Sequence, residues 1–295
     1  MKIDLQLHSL YSDGYNSPQQ LARMLKVNNI KVASLTDHNT IAGQKEFAEA
    51  CKKYNIKSIP GLELYVRYKS RTFNLLWYNY QMDSLELQKM LESTWKRRRL
   101  MAQKVDSRLQ RLGIRFNLGK FIDNHPYYLP VNHWLDELKK SRYNRSIFRK
   151  IDSNKEILDD NLIRILFYPK KGVNLQEARV SLTRVLNLRK KVGGQLIMCH
   201  PGLNNKLKNN LLMHLFDAGL DGAELLSPHH SISTVIYITR EIKKRNLIAT
   251  AGSDFHKAAP EDFNPRYAWQ WCNFESRDLY QIHKIIGGRP NKSSS

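Results

Sequence analysis

Six short segments contain most of the histidine and carboxylate side chains that are suited to metal chemistry. They are Asp4–Ser9, Ser12–Gly14, Thr36–His38, Pro60–Glu63, Cys199–Gly202 and Gly252–His256. Imidazole and carboxylate ligands that converge from several strands are what a hydrolytic site for Zn²⁺, Mn²⁺ or Fe²⁺ requires. A single His-Pro or Asp-x-His pair is more often a turn or a hydrogen-bonded loop. The prediction of a metal centre therefore depends on the whole ordered set.

Two of these segments place polar side chains two residues apart. Successive side chains of a strand point to opposite faces, so Gln6 and His8 share one face of a first strand whose other face is apolar. Asp254 and His256 repeat this spacing near the other end of the chain. We expect each pair to reach a common point at the end of its strand.

The elements that position these segments alternate between strand and helix patterns. Apolar stretches of strand length cover residues 3–7, 32–35, 59–66, 73–80, 195–198, 222–226 and 247–250, and helical patterns cover 17–25 and 41–53. Repeated β–α units predict an α/β fold with a parallel sheet and outer helices, as an open sheet or a closed barrel. The polar segments follow the strands, where both kinds of fold assemble their sites.

The pattern becomes mainly helical between about residues 84 and 187. Residues 85–112 read as one long helical stretch with an apolar stripe that includes Met101 and Val105. A basic stripe lies beside it and consists of Arg97, Lys104, Arg108 and Arg111. We interpret this segment as a helical insertion that caps the site. Its basic stripe either guides a nucleotide or polynucleotide to the site or is an ordinary solvated helix face.

The composition is that of a globular protein with a large excess of positive charge. Lys and Arg number 48 against 27 Asp and Glu, which gives a formal net charge of +21. Such a charge attracts phosphate-rich partners such as RNA or DNA. A soluble protein from a lysine-rich proteome is an equally acceptable explanation, so charge alone names no substrate.

The cysteines and the chain start indicate a soluble cytoplasmic protein. Cys51, Cys199 and Cys272 are scattered without a C-x-x-C pair, which is typical of a reducing compartment. The chain opens on a strand-like alternation instead of a signal sequence, and no apolar run approaches the ~18 residues of a membrane span. We expect no membrane partner, and the sequence defines no oligomeric state.

The ordered segments resemble the PHP (polymerase and histidinol phosphatase) superfamily of metal-dependent phosphoesterases. The pattern D-x-H-x-H-S, S-D-G, T-D-H, G-x-E, H-P and G-S-D-x-H of that superfamily is matched in order over about residues 1–256. The resemblance is closest to the branch of nucleoside 3′,5′-bisphosphate phosphatases and 5′–3′ exoribonucleases. It implies a distorted (β/α)7 barrel over 1–83 and 188–286, with the helical insertion over 84–187 and a flexible tail over 287–295.

The resemblance also implies positions for up to three divalent metal ions. The first is assigned to His8, Glu63 and Asp254, the second to Glu63 and His200, and the third to Asp13, His38 and His256. Gln6 and Asn74 stand where the family has histidines at the first and second positions, and they are weaker candidate ligands. Glu63, Asp13 and His38 are the expected catalytic residues. Because amide oxygens are hard and weak ligands, Mn²⁺ or Mg²⁺ is favoured over Fe²⁺ or Zn²⁺.

A few further residues have candidate roles near these ligands. Asp4, Asp37 and Ser9 either orient the imidazole ligands or only cap and form turns. Cys199 is interpreted as a buried strand residue and not as a ligand. His229 either contacts the substrate or is a solvated loop residue.

These assignments lead to three functional hypotheses. The first is a phosphoesterase that hydrolyses nucleotide or short oligonucleotide phosphoesters with a metal-activated water. The second is a weakened barrel that binds nucleic acid or nucleotides without turnover. It draws on Gln6, Asn74 and the loss of the branch's R-P-H motif near Leu129-Pro130-Val131, where only His133 is close by. The third is a small-metabolite phosphatase, which only the superfamily resemblance supports.

Overall fold

The computed structural model of the chain describes residues 1–151, 158–173, 175, 179–203, 210–257 and 273–287. The chain divides into two compact units. Unit 1 comprises Met1–Gln88 and Arg179–Ser295, and unit 2 comprises Lys89–Ala178. The expected barrel and insertion boundaries at 83/84 and 187/188 stay predictions, and the expected tail lies outside the described residues except for Gly287.

Unit 1 alternates strands and helices. In chain order they are β1 (Lys2–Leu7), α1 (Pro18–Val27), β2 (Val32–Leu35), α2 (Gln44–Lys53), β3 (Lys57–Ser58), β4 (Gly61–Tyr68), β5 (Arg71–Tyr78), β6 (Val180–Ser181), α8 (Leu182–Val192), β7 (Gln195–Met198), α9 (Leu211–Asp217), β8 (Gly222–Leu226), α10 (Ile232–Arg245), β9 (Ile248–Ala251), β10 (Phe274–Glu275) and α11 (His283–Ile286). The helices α3 to α7 lie between β5 and β6 in the chain and are described below with unit 2. The first residues of α3 lie in unit 1. The mixed α/β class that the sequence predicts is confirmed.

The strands of unit 1 form two sheets. The smaller has the order β10-β1-β2-β3, with β1, β2 and β3 parallel and β10 antiparallel. The larger has the order β6-β4-β5-β7-β8-β9. In it β7, β8 and β9 are parallel, while β5 runs antiparallel to both β4 and β7. Isolated bridges, Leu7 to Phe255 and His38 to Glu63, join the two sheets. Closure of the strands into a (β/α)7 barrel therefore stays a prediction.

Local chemistry explains where the first helices begin. The Ser17 hydroxyl caps α1 by accepting a hydrogen bond from the Gln20 amide. The Gln20 side-chain oxygen accepts a hydrogen bond from the Ser17 amide, which completes a capping box. The sequence predicted that α2 would start near Ile41, but it starts at Gln44. The reason is a turn in which the Thr40 hydroxyl accepts a hydrogen bond from the Ala42 amide.

Unit 2 is built from helices around its own apolar core. Its elements are α3 (Leu85–Arg111), α4 (Leu118–Asn124), α5 (Val131–Lys140), α6 (Arg142–Ile151) and α7 (Asp159–Leu166). Trp134, Phe148 and Phe167 are fully buried at the centre of this core. Burial of such large aromatic side chains is a major source of stability for a unit of this size. Among the described residues, no helix combines the length and apolar character that a bilayer crossing needs.

Candidate metal centre

The ends of the strands of unit 1 carry the polar side chains that the sequence singled out. His8 follows β1, His38 follows β2, His200 follows β7, and Asp254 follows β9, while Glu63 lies within β4. His8 and Glu63 are completely buried, His38 and His200 are nearly so, and the side chain of Asp254 is 13% exposed. The structure brings all seven candidates, the five above with Asp13 and His256, into three overlapping groups of potential ligands.

The first group, which we call group A, surrounds the Asp13 carboxylate. Its oxygens lie 3.5 Å from His8 Nδ1, 3.5 Å from His38 Nε2 and 3.4 Å from His256 Nε2. The rings of His8 and His256 stack with their centroids 4.2 Å apart. The sequence assigned His8 to a different metal position. The structure places it beside the complete third set, so that group A has four potential ligands.

Group B consists of His8, Glu63 and Asp254. The other ring nitrogen of His8, Nε2, lies 3.1 Å from Glu63 Oε2 and 3.2 Å from Asp254 Oδ1. This is the set that the resemblance assigned to the first metal position. Because the two nitrogens of His8 face different carboxylates, this one imidazole connects groups A and B.

Group C consists of Glu63, Cys199 and His200. His200 Nε2 lies 3.4 Å from Glu63 Oε1, and the Cys199 thiol donates to the same oxygen over 3.2 Å. The sequence identified Glu63 and His200 but interpreted Cys199 as a buried strand residue. The spacing of Cys199 and His200 along the chain gave no sign that the two side chains reach the same carboxylate.

The amides of Gln6 and Asn74 also face Glu63. Gln6 Nε2 lies 3.2 Å from Glu63 Oε2 and 2.9 Å from Asp254 Oδ1, and Asn74 Nδ2 donates to Glu63 Oε1 over 2.7 Å. In this arrangement the amide nitrogens point toward the carboxylates. Ligation of a cation by an amide oxygen at either position requires the amide to rotate by half a turn.

Two glycines permit the close approach of the loops that carry the aspartates. A Cβ added to Gly14 would lie 2.2 Å from the His8 carbonyl oxygen, and one added to Gly252 would lie 2.3 Å from the Gln6 Cβ. These contacts explain why glycine occurs beside Asp13 and before Asp254. Asp254 itself has a left-handed backbone, with φ of 52°. Such a conformation is costly for a residue other than glycine and is often found at functional sites.

Several buried groups hold the candidate ligands in place. Asp37 accepts hydrogen bonds from the amide and hydroxyl of Ser9 and from the hydroxyl of Ser12, on either side of the turn that leads to Asp13. The Asp4 carboxylate accepts from the Ser253 amide over 2.9 Å. The sequence had proposed Asp4, Asp37 and Ser9 as candidates for orienting the ligands, and these contacts fit that role.

Two orienting groups were not assigned from the sequence. Glu224, on β8, accepts a hydrogen bond from the His200 amide over 2.8 Å. His229 Nε2 lies 2.8 Å from Asp254 Oδ2. For His229 the sequence left a solvated loop residue and a substrate contact open. The signal that could have found Glu224 was its position in β8, one of the parallel strands, close to the strand's end.

Opposing effects set the charges of the centre. Burial lowers the pKa of His8, but the carboxylates of Asp254 and Glu63, which lie 3.2 Å and 3.1 Å from its Nε2, outweigh this and raise the pKa well above its usual value. Burial raises the pKa of Asp13, and the neighbouring imidazoles, that of His38 foremost, outweigh it and hold the pKa far below its usual range. The Asp13 carboxylate is therefore ionised beside a protonated His8 imidazole. A divalent cation can replace that proton, because metal binding requires neutral imidazole.

This donor set fits divalent cations. Neither ring nitrogen of His8 makes a hydrogen bond of normal geometry, although carboxylate oxygens lie within 3.5 Å of both. Within each group the donor atoms lie within 4.8 Å of one another. Ligands at about 2.0–2.3 Å from a common ion are separated by roughly 3–4.5 Å, so only small shifts are needed.

A model of the PHP domain matches residues 4–191 of the chain. The match covers more than half of the sequence and includes Asp4, His8, Asp13, His38 and Glu63 at the centre described above. The chain belongs to the PHP domain family. This finding confirms the resemblance on which the sequence analysis relied.

Two curated relatives of this chain are a nucleoside bisphosphate phosphatase and an exoribonuclease. A 3′,5′-nucleoside bisphosphate phosphatase from Chromobacterium violaceum is 24% identical over 94% of this chain and 98% of its own length. A 5′-3′ exoribonuclease from Haemophilus influenzae is 24% identical over 86% of this chain and 90% of its own length. A solved structure from Bifidobacterium adolescentis, assigned as a metal-dependent phosphoesterase, has a TM-score of 0.77 at 18% identity and covers 96% of this chain and 95% of its own. The last similarity shows a shared fold.

The segment where the R-P-H motif was expected lies in unit 2. Val131 begins α5, and the Leu129 carbonyl accepts a hydrogen bond from the buried Arg98 guanidinium over 3.0 Å. His133 Nδ1 lies 3.2 Å from His125 Nε2. His133 therefore contacts a neighbour in its own unit, and a role of this imidazole in gripping phosphate stays a prediction.

Proposed function

We propose that this chain is a metal-dependent phosphoesterase that hydrolyses nucleotide or short oligonucleotide phosphoesters. One observation carries the proposal. Seven carboxylate and imidazole side chains, from His8 to His256 along the chain, meet around Glu63 and Asp13. The relatives that act on nucleoside bisphosphates and on RNA support the substrate class, as does the net charge of +21.

Some of these residues would bind cations, and others fix the positions of the ligands. Group A would hold one cation through Asp13, His38 and His256, and groups B and C would hold cations on the two oxygens of Glu63. Divalent cations supply charge to polarise the phosphate oxygens and lower the pKa of a coordinated water. Asp37 and Asp4 fix the loops that carry the ligands, and Glu224 fixes the His200 backbone. No separate protein base is required.

We favour Mn²⁺ or Mg²⁺ as the activating ion. The Gln6 amide beside group B adds only a hard, neutral oxygen to the candidate ligands, which suits these ions better than Zn²⁺. Fe²⁺ and Zn²⁺ are the alternatives to be compared in the same assay. We also assign the protein to the cytoplasm, because neither Cys51 nor Cys199 forms a disulfide within the described part of the chain.

The test is a hydrolysis assay with a panel of nucleotides, nucleoside bisphosphates and short oligonucleotides. We expect phosphate or nucleotide release with Mn²⁺, and a loss of at least about 100-fold in His38→Ala and Glu63→Ala, since each change removes a ligand of the proposed centre. Glu49→Gln, at an exposed carboxylate of α2, is the matched control and should retain full activity. Absence of turnover with Mn²⁺, Mg²⁺, Fe²⁺ and Zn²⁺ would refute the proposal.

A second candidate function, binding without turnover, has one specific observation in its favour. The Gln6 and Asn74 amides already donate hydrogen bonds to both oxygens of Glu63. They therefore satisfy the carboxylate that would otherwise need cations at groups B and C. If the wild type binds oligonucleotides but does not cleave them, and the double variant Gln6→His/Asn74→His gains hydrolysis, this second function is the correct one.

A further inference from the structure

We propose that Cys199 supplies a thiolate ligand at group C and that this position selects a thiophilic cation such as Zn²⁺ over Mn²⁺ or Mg²⁺. The inference deepens the proposed function and rests on it only in that the centre binds cations. It adds a ligand that the sequence analysis had interpreted as a core residue. It also predicts a centre of mixed character, with oxygen and nitrogen donors at group A and a sulfur donor at group C.

The surroundings of Cys199 differ from those of an ordinary buried cysteine. Cys51, on α2, packs in an apolar cluster with Phe47 and Leu25. Cys199 is equally buried, but its Sγ lies 3.2 Å from Glu63 Oε1 and 3.1 Å from Gln6 Nε2. A thiol is a weak hydrogen-bond partner, so a buried carboxylate and a buried amide gain little from it. The same sulfur as thiolate is among the best ligands for Zn²⁺.

The three donors of group C form a charge-balanced set. Glu63 and Cys199 carry one negative charge each when they ligate, and His200 is neutral. A divalent cation cancels these charges, which matters because all three residues are buried. The proton of the Cys199 thiol is released to solvent as the sulfur–metal bond forms. Glu63, Cys199 and His200 alone are three protein ligands, the number found at catalytic Zn²⁺ sites with one open position.

An orphaned amide oxygen beside group C supports the same conclusion. Gln6 is completely buried, and its Oε1 makes no hydrogen bond to the described part of the chain. The nitrogen of the same amide contacts Cys199 Sγ, Glu63 Oε2 and Asp254 Oδ1. If the amide rotates by half a turn, its oxygen faces two carboxylates and a sulfur, an arrangement that is stable only with a cation among them. A bound cation would thus give the Gln6 Oε1 atom a partner.

The donor atoms around group C differ from those that the family resemblance implies, and the difference favours Zn²⁺. Asn74 lies 2.7 Å from Glu63 Oε1, so an amide borders group C where the family resemblance implies an imidazole. A thiol from the next strand of the sheet, β7, lies against the same oxygen. The position has therefore exchanged a borderline nitrogen donor for a soft sulfur donor, and its preference should shift toward Zn²⁺.

The experiment uses Co²⁺ as a spectroscopic probe of the full-length protein. A cobalt–thiolate bond gives an intense near-ultraviolet charge-transfer band, which oxygen and nitrogen ligands do not give. We expect this band in the wild type and in the double variant Cys51→Ser/Cys272→Ser, which keeps Cys199 as its only thiol. Cys199→Ser should lack the band and should bind Zn²⁺ at least roughly 10-fold more weakly, a loss that changes near a metal commonly cause.

The outcomes separate this inference from the proposed function. Stoichiometric Co²⁺ binding without the band, or an unchanged band in Cys199→Ser, overturns the thiolate ligand even if phosphoester hydrolysis is observed. The band in a protein that hydrolyses no substrate supports the ligand and refutes only the proposed function. Circular dichroism of Cys199→Ser shows whether the variant is folded, and Cys199→Ala, which restores no ligand, should give the same spectrum as Cys199→Ser.

Discussion

At the scale of single residues, Glu63 is the point where the candidate groups meet. Its Oε2 contacts His8 and Gln6, and its Oε1 contacts His200 and Asn74. A completely buried carboxylate with this many partners has one orientation. Burial alone would raise its pKa, but the imidazoles, that of His38 foremost, hold the pKa well below its usual value. Glu63 is therefore ionised and ready to bind cations at neutral pH.

His229 should act as a positioning residue for Asp254. Its Nε2 lies 2.8 Å from Asp254 Oδ2, on the side of the carboxylate away from His8. We expect His229→Ala to weaken binding of metal to the centre by about 10- to 100-fold, the usual effect of removing a partner of a ligand. Titration calorimetry with Mn²⁺ measures the change. His214→Ala, at an exposed histidine of α9, is the control, and equal affinities of the two variants would contradict this role.

Asp4 should make the stability of the protein without added metal depend on pH. Burial raises the pKa of Asp4 from 3.8 to about 7. Between these values the folded chain holds a proton that the unfolded chain has released, so Asp4 lowers the free energy of unfolding as pH rises through this window. The total loss is up to about 4 kcal/mol for such a shift. The Asp4→Asn substitution removes this pH-dependent loss of stability. It keeps a side-chain oxygen that can accept the hydrogen bond from the Ser253 amide.

Urea denaturation of the wild type and Asp4→Asn at pH 5 and pH 8 tests this prediction. Other titrating groups contribute similarly to both proteins, so the difference between their free energies of unfolding isolates Asp4. We expect Asp4→Asn to gain stability relative to the wild type as pH rises. Parallel pH profiles would show that Asp4 is ionised in the folded chain.

The sequence predicted the residue types of the centre better than their partners. Alternation along β1 correctly placed Gln6 and His8 on one face, since both contact Glu63. It could not show that His8 uses its two nitrogens for different carboxylates, because that depends on the rotation of the ring. The contact of Cys199 with Glu63 depends on the register between β7 and its neighbours, which no local pattern in the sequence encodes.

At the scale of elements, the loop after β1 should tolerate no side chain at Gly14. An added Cβ would meet the backbone of His8 at 2.2 Å, where no flexible side chain can move away. We expect Gly14→Ala to lower the free energy of unfolding by about 1–3 kcal/mol, the cost of overpacking a rigid contact. Gly119→Ala is the matched control.

Gly119 lies exposed within α4, where alanine is the better helix former. That change should raise the free energy of unfolding by roughly 0.5–1 kcal/mol. Urea denaturation measures both variants. If Gly14→Ala is as stable as the wild type and keeps its metal affinity, the close packing of this loop is not what positions Asp13.

The strands were predicted well where they are buried and parallel. The bounds of β2, β7 and β8 agree with the sequence pattern, because short apolar runs between polar residues allow little choice. The suggested pairing of β4 with β5 is confirmed as an antiparallel hairpin. The arrangement of the strands in two sheets was not predicted. A β–α repeat in the sequence does not specify between which neighbouring strands the hydrogen bonding stops.

At the scale of the whole molecule, the net charge of the chain is positive, whereas the candidate metal centre is rich in carboxylates. The chain carries a net charge of +21, while the centre concentrates the carboxylates of Glu63, which is completely buried, and of Asp13 and Asp254, which are partly buried. A positive molecule brings a phosphate-bearing substrate near by long-range attraction. Its acidic centre then needs cations before it can accept that phosphate. The account therefore predicts that substrate binding and metal binding depend on each other.

The most direct test is anomalous diffraction from crystals grown with Mn²⁺, with data collected at the manganese absorption edge. The account predicts an anomalous peak among Asp13, His38 and His256, within ligand distance of all three, and no such peak in Asp13→Asn. Ordered density for these three side chains with no anomalous peak between them, at a Mn²⁺ concentration in large excess over the protein, would contradict the account.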